Sequence, residues 1–242
     1  MAKVKMIHTF RRYEKKYLIT AEQATALFKK IGDRMKPDEY GETVICNLYY
    51  DTPDFLLIRR SLDKPKYKEK LRVRCYGVPK SDSLAFIEIK KKVAKIVYKR
   101  RIDTTYEKAV EYLKTGETDT VGQVKCELDW FLKSYEDLKP RTALFYTRAA
   151  FFDTIDPELR ITVDKDIFWR RDDLDLTLGA YGERLIDENQ RLLEIKITGS
   201  FPVWLAHTLS ELNIFPSSFS KYGRAFLDFV KEVTCFGGNK NV

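Results

Sequence analysis

Residues 68–75 carry a base at every second position: Lys68, Lys70, Arg72 and Arg74, with Leu71, Val73 and Cys75 between them. Successive side chains of a β-strand point to opposite faces, so this spacing places a row of cations on one face and an apolar row on the other. After a turn around Gly77-Val78-Pro79 the pattern returns in residues 86–92, where Glu88, Lys90 and Lys92 oppose Ile87 and Ile89. A third run, residues 97–102, brings Lys99 and Arg101. Like charges facing each other across a sheet repel. A chain that stacks them on one face calls for a compensating partner, and a bound polyanion supplies it.

The same form recurs along the chain. Residues 12–19 read as a strand that puts Arg12, Glu14 and Lys16 on one face. Thr20 caps the helix that follows, with Gln23 placed for a capping box. Residues 44–51 read as a strand, and Asp51 or Thr52 ahead of Pro53 starts a short helix through Leu62. Thr105 caps a helix that Gly116 ends. Residues 121–135 form an amphipathic helix, and strands follow at 143–153, 159–164 and 192–198. Pro202 opens a helix through Leu212, and Ser217 or Ser218 opens the last, after which the tail frays from Gly237. The 242 residues, 44% hydrophobic, suffice for a sizeable core, and the whole of 1–242 is expected to form a single domain. The order of elements suits an α+β fold with an antiparallel sheet, and about eight strands are enough to close a β-barrel.

The charged strand faces carry Arg12, Glu14, Lys16, Lys70, Arg72, Arg74, Glu88, Lys90, Lys99, Arg101, Arg148, Arg160, Asp164, Glu194 and Lys196. A half-exposed sheet with one wet face accounts for any single strand of this kind. The set points elsewhere, because it recurs on most strands and is mostly cationic. The opposite faces are apolar, with several amphipathic helices available to cover them. With helices packed outside, the charged faces turn inward and the barrel encloses a basic tunnel. Buried bases without anions are costly, so such a tunnel must hold water, a metal or a polyphosphate.

Several function classes lack their motifs. There is no GxxxxGK[ST] loop and no GxGxxG before a helix, and His8 and His207 have no evident Ser or Cys partner. Both histidines, and Trp130, Trp169 and Trp204, read as structural or packing groups. Cys46, Cys75, Cys126 and Cys235 show no CxxC pairing and read as buried free thiols of a reducing compartment. No stretch resembles a signal peptide or a membrane span, so a soluble cytoplasmic protein is expected. The net charge of +8 favours an anionic partner. Nucleic acid fits that charge but not its placement, since duplexes and long strands want an open basic surface with exposed aromatics.

Arg12-x-Glu14-x-Lys16 resembles the ExExK motif of the triphosphate tunnel metalloenzymes, the CYTH superfamily. Further stretches resemble the polyphosphate polymerase domain of the vacuolar transporter chaperone (VTC) complex and its bacterial relatives. These are residues 48–55 (LYYDTPDF), Lys70-Leu71-Arg72-Val73-Arg74, Glu88-Ile89-Lys90, Tyr146-x-Arg148-x-x-Phe151, Leu159-Arg160-Ile161-x-x-Asp164, Leu193-Glu194-Ile195-Lys196 and Ser220-Lys221-Tyr222. The resemblance runs from about Phe10 to about Val230, and the order and spacing of the motifs make it specific.

What the resemblance implies is a closed antiparallel tunnel whose basic walls grip a triphosphate. Lys16, Arg72, Arg74, Lys90, Arg148, Arg160 and Lys221 match the family's phosphate-binding bases. Lys99 and Arg101 match a further basic strand, with the inward-pointing member left open, and Lys196 joins the binding set. Tyr146 matches an aromatic near the tunnel mouth where a nucleobase can rest. Glu194 matches the carboxylate that holds a divalent metal, Mn²⁺ or Mg²⁺, and Glu14 and Glu88 are accessory ligands or ion-pair partners of nearby bases. The implied partners are ATP and inorganic polyphosphate, and coupling to translocation would need a membrane partner on another chain. Arg12 stands where the motif has its first glutamate, which weakens a hydrolase reading and resembles the polymerase branch. A tripolyphosphatase or nucleoside triphosphatase, and a non-catalytic polyphosphate-binding module, remain alternatives.

Overall fold

The structure, a computed structural model, describes residues 12–63, 65–93 and 96–237. His8 and the tail beyond Gly237 lie outside them, as does the side chain of Arg12. The chain begins with β1 (Arg12–Thr20), α1 (Ala21–Ile31), β2 (Met35–Pro37), β3 (Thr43–Asp51) and α2 (Leu56–Leu62). Three long strands follow, β4 (Tyr67–Tyr76), β5 (Leu84–Val93) and β6 (Ile96–Thr105), then α3 (Tyr106–Thr115) and α4 (Gln123–Ser134). The second half holds β7 (Lys139–Asp153), β8 (Arg160–Arg170), β9 (Glu183–Arg184), β10 (Gln190–Thr198), α5 (Val203–Glu211) and α6 (Lys221–Gly237).

The strands form one antiparallel sheet in the order β1-β10-β8-β7-β3-β4-β5-β6, with β2 on β7 and β9 on β8. Its ends, β1 and β6, are not hydrogen-bonded to each other among the described residues, so the expected closed barrel is here an open sheet. The sheet is nevertheless strongly curled. Lys90 on β5 reaches Glu14 on β1 at 3.5 Å, although a flat sheet would put those strands about 29 Å apart at ~4.8 Å per step.

The apolar faces explain the direction of curl. Leu71, Val73, Ile87 and Ile89 are buried against α3 and α4 through Tyr112, Leu113, Leu128 and Phe131. Tyr17, Ile161, Leu193, Ile195 and Ile197 are buried against α1 and α5. Full burial of each such side chain contributes about 1.5–3 kcal/mol, so these faces take the helices and the charged faces line the concave side.

Local signals explain most boundaries. Thr20 accepts from Gln23 N and Gln23 Oε1 accepts from Thr20 N, completing the capping box. Asp51 and Thr52 cap α2 from a distance, Asp51 accepting from Leu57 N and Ile58 N and Thr52 Oγ1 from Leu56 N. The helix therefore starts beyond Pro53, after Phe55 in the left-handed region.

Four expectations are corrected. The last helix begins at Lys221 rather than Ser217, because Ser217 bridges to Lys16 and its Oγ accepts from Leu18 N, an extension of the sheet. And α6 does not lie outside. Its start packs across one end of the concave face, where Tyr222 stacks on Tyr49 with ring centroids 4.5 Å apart and donates to Asp51 Oδ2 at 2.8 Å. Among the cysteines, Cys46 and Cys75 are buried, whereas Cys126 and Cys235 are exposed, contrary to expectation. Trp130 is exposed as well, with Lys91 over its ring.

Candidate functional site: a basic concave face

Strand alternation delivers Lys70, Arg72 and Arg74 from β4, Glu88 and Lys90 from β5, and Lys99 and Arg101 from β6 to the same side of the sheet, and the ladder sets Arg72 opposite Glu88 and Glu88 opposite Arg101. Glu88 is the hub. Its carboxylate meets Arg72 at 2.7 Å, Lys99 at 2.5 Å, Arg101 at 3.5 Å and Arg74 at 3.9 Å, at 1% side-chain exposure. Burial alone would raise its pKa, but Arg72, Arg74 and Lys99 outweigh that and hold it down at about 2. Both Lys99 and Arg101 therefore point inward.

On the facing wall, Arg148 on β7 holds Asp164 on β8 through Nε at 2.6 Å and Nη2 at 2.8 Å, and Lys221 closes on the same carboxylate. This is a bidentate, charge-assisted pair. Tyr146, one step along β7, is 3% exposed and accepts from Arg74 Nη2 at 3.2 Å. Lys221 Nζ lies 4.3 Å and Arg148 Cζ 5.1 Å from its ring centroid. Burial would raise the phenol's pKa, yet the charges of Arg74, Arg148 and Lys221 lower it to about 7. The residue assigned to a nucleobase is thus buried among cations in this structure.

Between the walls stand Lys16, Glu14, Glu194 and Lys196. Lys16 Nζ is 3.2 Å from Glu14 and 3.7 Å from Glu194, while Lys196 pairs with Glu194 at 2.7 Å. Desolvation works against the charge on Lys16, and the two glutamates more than restore it, raising its pKa. Glu194 is likewise held well below the usual carboxylate range, against burial, by Lys196, Lys16 and Arg148. Arg160 lies opposite Lys196 in the ladder, exposed and without an ion pair among the described residues.

The expected site residues with described side chains thus come together on one concave face, Arg160 at its exposed end. The residues not singled out from sequence are Asn47, Tyr49, Ser220 and Tyr222. Asn47 Oδ1 accepts from Arg74 Nε and Tyr49 OH accepts from Arg72 Nη1, each at 3.0 Å. For Asn47 and Tyr49 the signal was their alternation with Asp51 within a strand that otherwise reads as apolar, and for Ser220 and Tyr222 it was their place on either side of Lys221 in the quoted motif.

No group of three or more His, Cys, Asp or Glu side chains able to hold a metal occurs among the described residues. The donor set that could serve is the pair Glu14 and Glu194, close enough to share Lys16. One or two carboxylates with substrate phosphates completing the shell is the usual way Mg²⁺ is bound, so the pair fits a hard divalent cation.

A family model described as the VTC domain matches residues 11–229. The chain belongs to the VTC domain family. That agrees with the resemblance to triphosphate tunnel metalloenzymes read from the motifs. Among solved structures, a putative adenylate cyclase from Bacillus halodurans is similar in fold, with a TM-score of 0.53 and 16% identity over 87% of this chain and 95% of that one. A putative adenylyl cyclase from Hippeastrum, described as having a dominant triphosphatase activity, gives a TM-score of 0.49 and 14% identity over 86% and 92% of the two chains. Comparison with curated proteins found no match. The VTC domain here contains no helix long and apolar enough to cross a membrane among the described residues.

Proposed function

We propose that this VTC domain is a polyphosphate polymerase, transferring the terminal phosphate of ATP to a growing inorganic polyphosphate chain along the basic concave face, which on this reading is the wall of the tunnel. The observation that carries the reading is the charge balance of that face. Its carboxylates, Glu14, Glu88, Asp164 and Glu194, are each shared by two or more cations. Such a surface is incomplete without an anion of high charge density. Free buried thiols in Cys46 and Cys75 suit a reducing, cytoplasmic setting.

Phosphoryl transfer depends on charge neutralisation and in-line positioning more than on a protein nucleophile. Arg72 and Arg74 stand roughly 7 Å apart along their strand and can reach neighbouring phosphates. Glu88 fixes their guanidinium groups from one side, Tyr49 and Asn47 from the other. Lys90 adds charge from the neighbouring strand of the same wall, Lys16 from between the walls, and Arg148 and Lys221 from the facing wall. The accepting group is a terminal phosphate already ionised at neutral pH, so no strong general base is required, and no histidine lines the face among the described residues. Glu14 and Glu194 would hold a divalent cation, which would supply Lewis-acid stabilisation of the phosphate charge.

Incubation with ATP and Mn²⁺ or Mg²⁺ tests the proposal. Long phosphate chains on a gel are expected; free phosphate alone would make the domain a triphosphatase, and neither product would leave a binding module. Glu194→Gln should abolish turnover while ATP still binds. Arg72→Ala and Lys90→Ala should lose both binding and turnover. Full polymerase activity in Glu194→Gln, with an unchanged metal requirement, would remove that residue from its role.

A further inference from the structure

Lys70 is on the concave face but outside every ion pair described above. It stands on β4 next to Arg72 and directly opposite Lys90 in the ladder. Its Nζ donates to Ser220 Oγ at 3.0 Å and lies 5.8 Å from the Tyr222 ring centroid. No carboxylate pairs with it among the described residues. The nearby acids are committed elsewhere: Glu14 to Lys16 and Lys90, Glu88 to the Arg72 cluster, and Asp51 to Tyr222 and the α2 amides. The charges that bear most on Lys70 are cations, namely Lys16 on β1, Lys90 on β5, and Lys68 and Arg72 on its own strand. From α6 and β3 it meets only neutral groups, Ser220, Tyr222 and the Tyr49 ring stacked behind.

A lysine in that position works against its own charge. Desolvation comes first and the four neighbouring cations add to it, bringing the pKa down to about 7. A phosphate chain laid along Arg72 and Lys90 reverses both influences, because its oxygens hydrogen-bond the ammonium and cancel the field of the neighbouring bases.

We propose that Lys70 is the proton-uptake residue of this site: an amine set among cations, with Ser220 as its hydrogen-bond partner and no carboxylate paired with it among the described residues, that takes a proton from solvent and becomes a phosphate-binding ammonium when a polyphosphate or nucleoside triphosphate enters. This rests on the proposed function, which places the phosphates on the concave face. The step balances as one amine and one solvent proton giving one ammonium, with no covalent change. Binding and proton uptake are then linked, so each strengthens the other. Above the free amine's pKa, affinity falls by up to tenfold per pH unit from this residue alone.

The test is calorimetric titration of the whole chain with inorganic tripolyphosphate, without metal, at pH 8 in two buffers of different ionisation heat. Their difference gives the protons taken up. Wild type should take up nearly one more proton than Lys70→Arg, whose guanidinium is charged throughout. Between pH 7 and 9 the wild-type affinity should fall up to tenfold per unit relative to that variant. Lys70→Met, which requires no extra room, should bind more weakly and show the same smaller uptake; it carries the test if the arginine variant does not fold. Equal proton uptake in wild type and both variants overturns the role of Lys70 while leaving the phosphate site intact. Absence of tripolyphosphate binding by wild type overturns the proposed function together with this inference.

Discussion

Replacing Glu88 with glutamine keeps the side chain's shape and removes the one negative charge that Arg72, Arg74, Lys99 and Arg101 share. The cost can be worked in two ways. The carboxyl pKa falls from 4.5 to about 2 in the folded protein, and at ~1.36 kcal/mol per unit this corresponds to about 3 kcal/mol of stability. Breaking a buried ion pair by removing one partner costs about 3–5 kcal/mol, and the lower end applies here, because Lys99 and Arg101 are 47% and 35% exposed and can turn to water. For a domain of this size ~1 kcal/mol moves the melting temperature by roughly 2–4 °C, so Glu88→Gln should melt roughly 6–12 °C below wild type. The sign with pH follows from a depressed carboxyl. Its contribution is complete above the unfolded pKa and disappears as pH falls toward 2. Wild type should therefore lose its advantage over the variant on acidification from about pH 5. Scanning calorimetry at pH 7 and at pH 3 measures both effects. Added tripolyphosphate should restore most of the loss, since it supplies anionic oxygens to the same cations. A variant that melts within 1–2 °C of wild type, or that polyanions do not rescue, would refute the view of Glu88 as counter-ion to a phosphate site.

Tyr146, with its pKa lowered to about 7 by Arg74, Arg148 and Lys221 against the effect of burial, should give a tyrosinate absorbance step near neutral pH; the step should vanish in Tyr146→Phe, and its persistence there would assign it to another tyrosine. Cys46 and Cys75 are buried with thiol pKa values pushed up to about 12, while Cys126 and Cys235 are exposed. A thiol reagent should accordingly modify Cys126 and Cys235 quickly in the native protein and Cys46 and Cys75 only on unfolding, and fast labelling of either buried residue would contradict the burial of that face.

Much of this architecture was legible because strand alternation is a local property. Lys70, Arg72 and Arg74 share a face whatever the rest of the chain does, and Thr20 with Gln23 specifies a helix start within four residues. Motif order then assigned Glu88, Arg148 and Lys221 to one site, and the structure brings them to one concave face. What local pattern could not supply was the partner of each charge. That Lys221 would close on Asp164, or Lys16 reach Glu194, depends on strands far apart in sequence meeting in space. The placement of α6 was illegible for the same reason: Phe219, Tyr222, Phe226 and Phe229 give an amphipathic helix, but nothing local says which face of the sheet it covers. Nor could the nucleobase role expected of Tyr146 be checked against its burial before Arg74 and Lys221 were placed around it.

The carboxylates of the concave face divide into two kinds, and the division bears on the proposed chemistry. Glu88 and Asp164 are at most 1% exposed and are held by arginines with several hydrogen bonds each. Removing their cations would leave buried charges unpaired, so these pairs stay made when substrate arrives. Glu14 and Glu194 are different, being in direct ion pairs only with lysines, at 3.2–3.7 Å for Lys16 and Lys90 and at 2.7 Å for Lys196; Glu14 is 28% and Glu194 8% exposed. A lysine ammonium is a point charge on a flexible stem and exchanges one oxygen partner for another at little cost. On the proposed reading, incoming phosphate oxygens draw Lys16, Lys90 and Lys196 away and leave Glu14 and Glu194 as the carboxylates without partners. Those are the two carboxylates that would hold a divalent cation on that reading, so the lysines that neutralise the site in the free protein would be the ones the substrate needs, and their transfer would free both carboxylates only when phosphate is present.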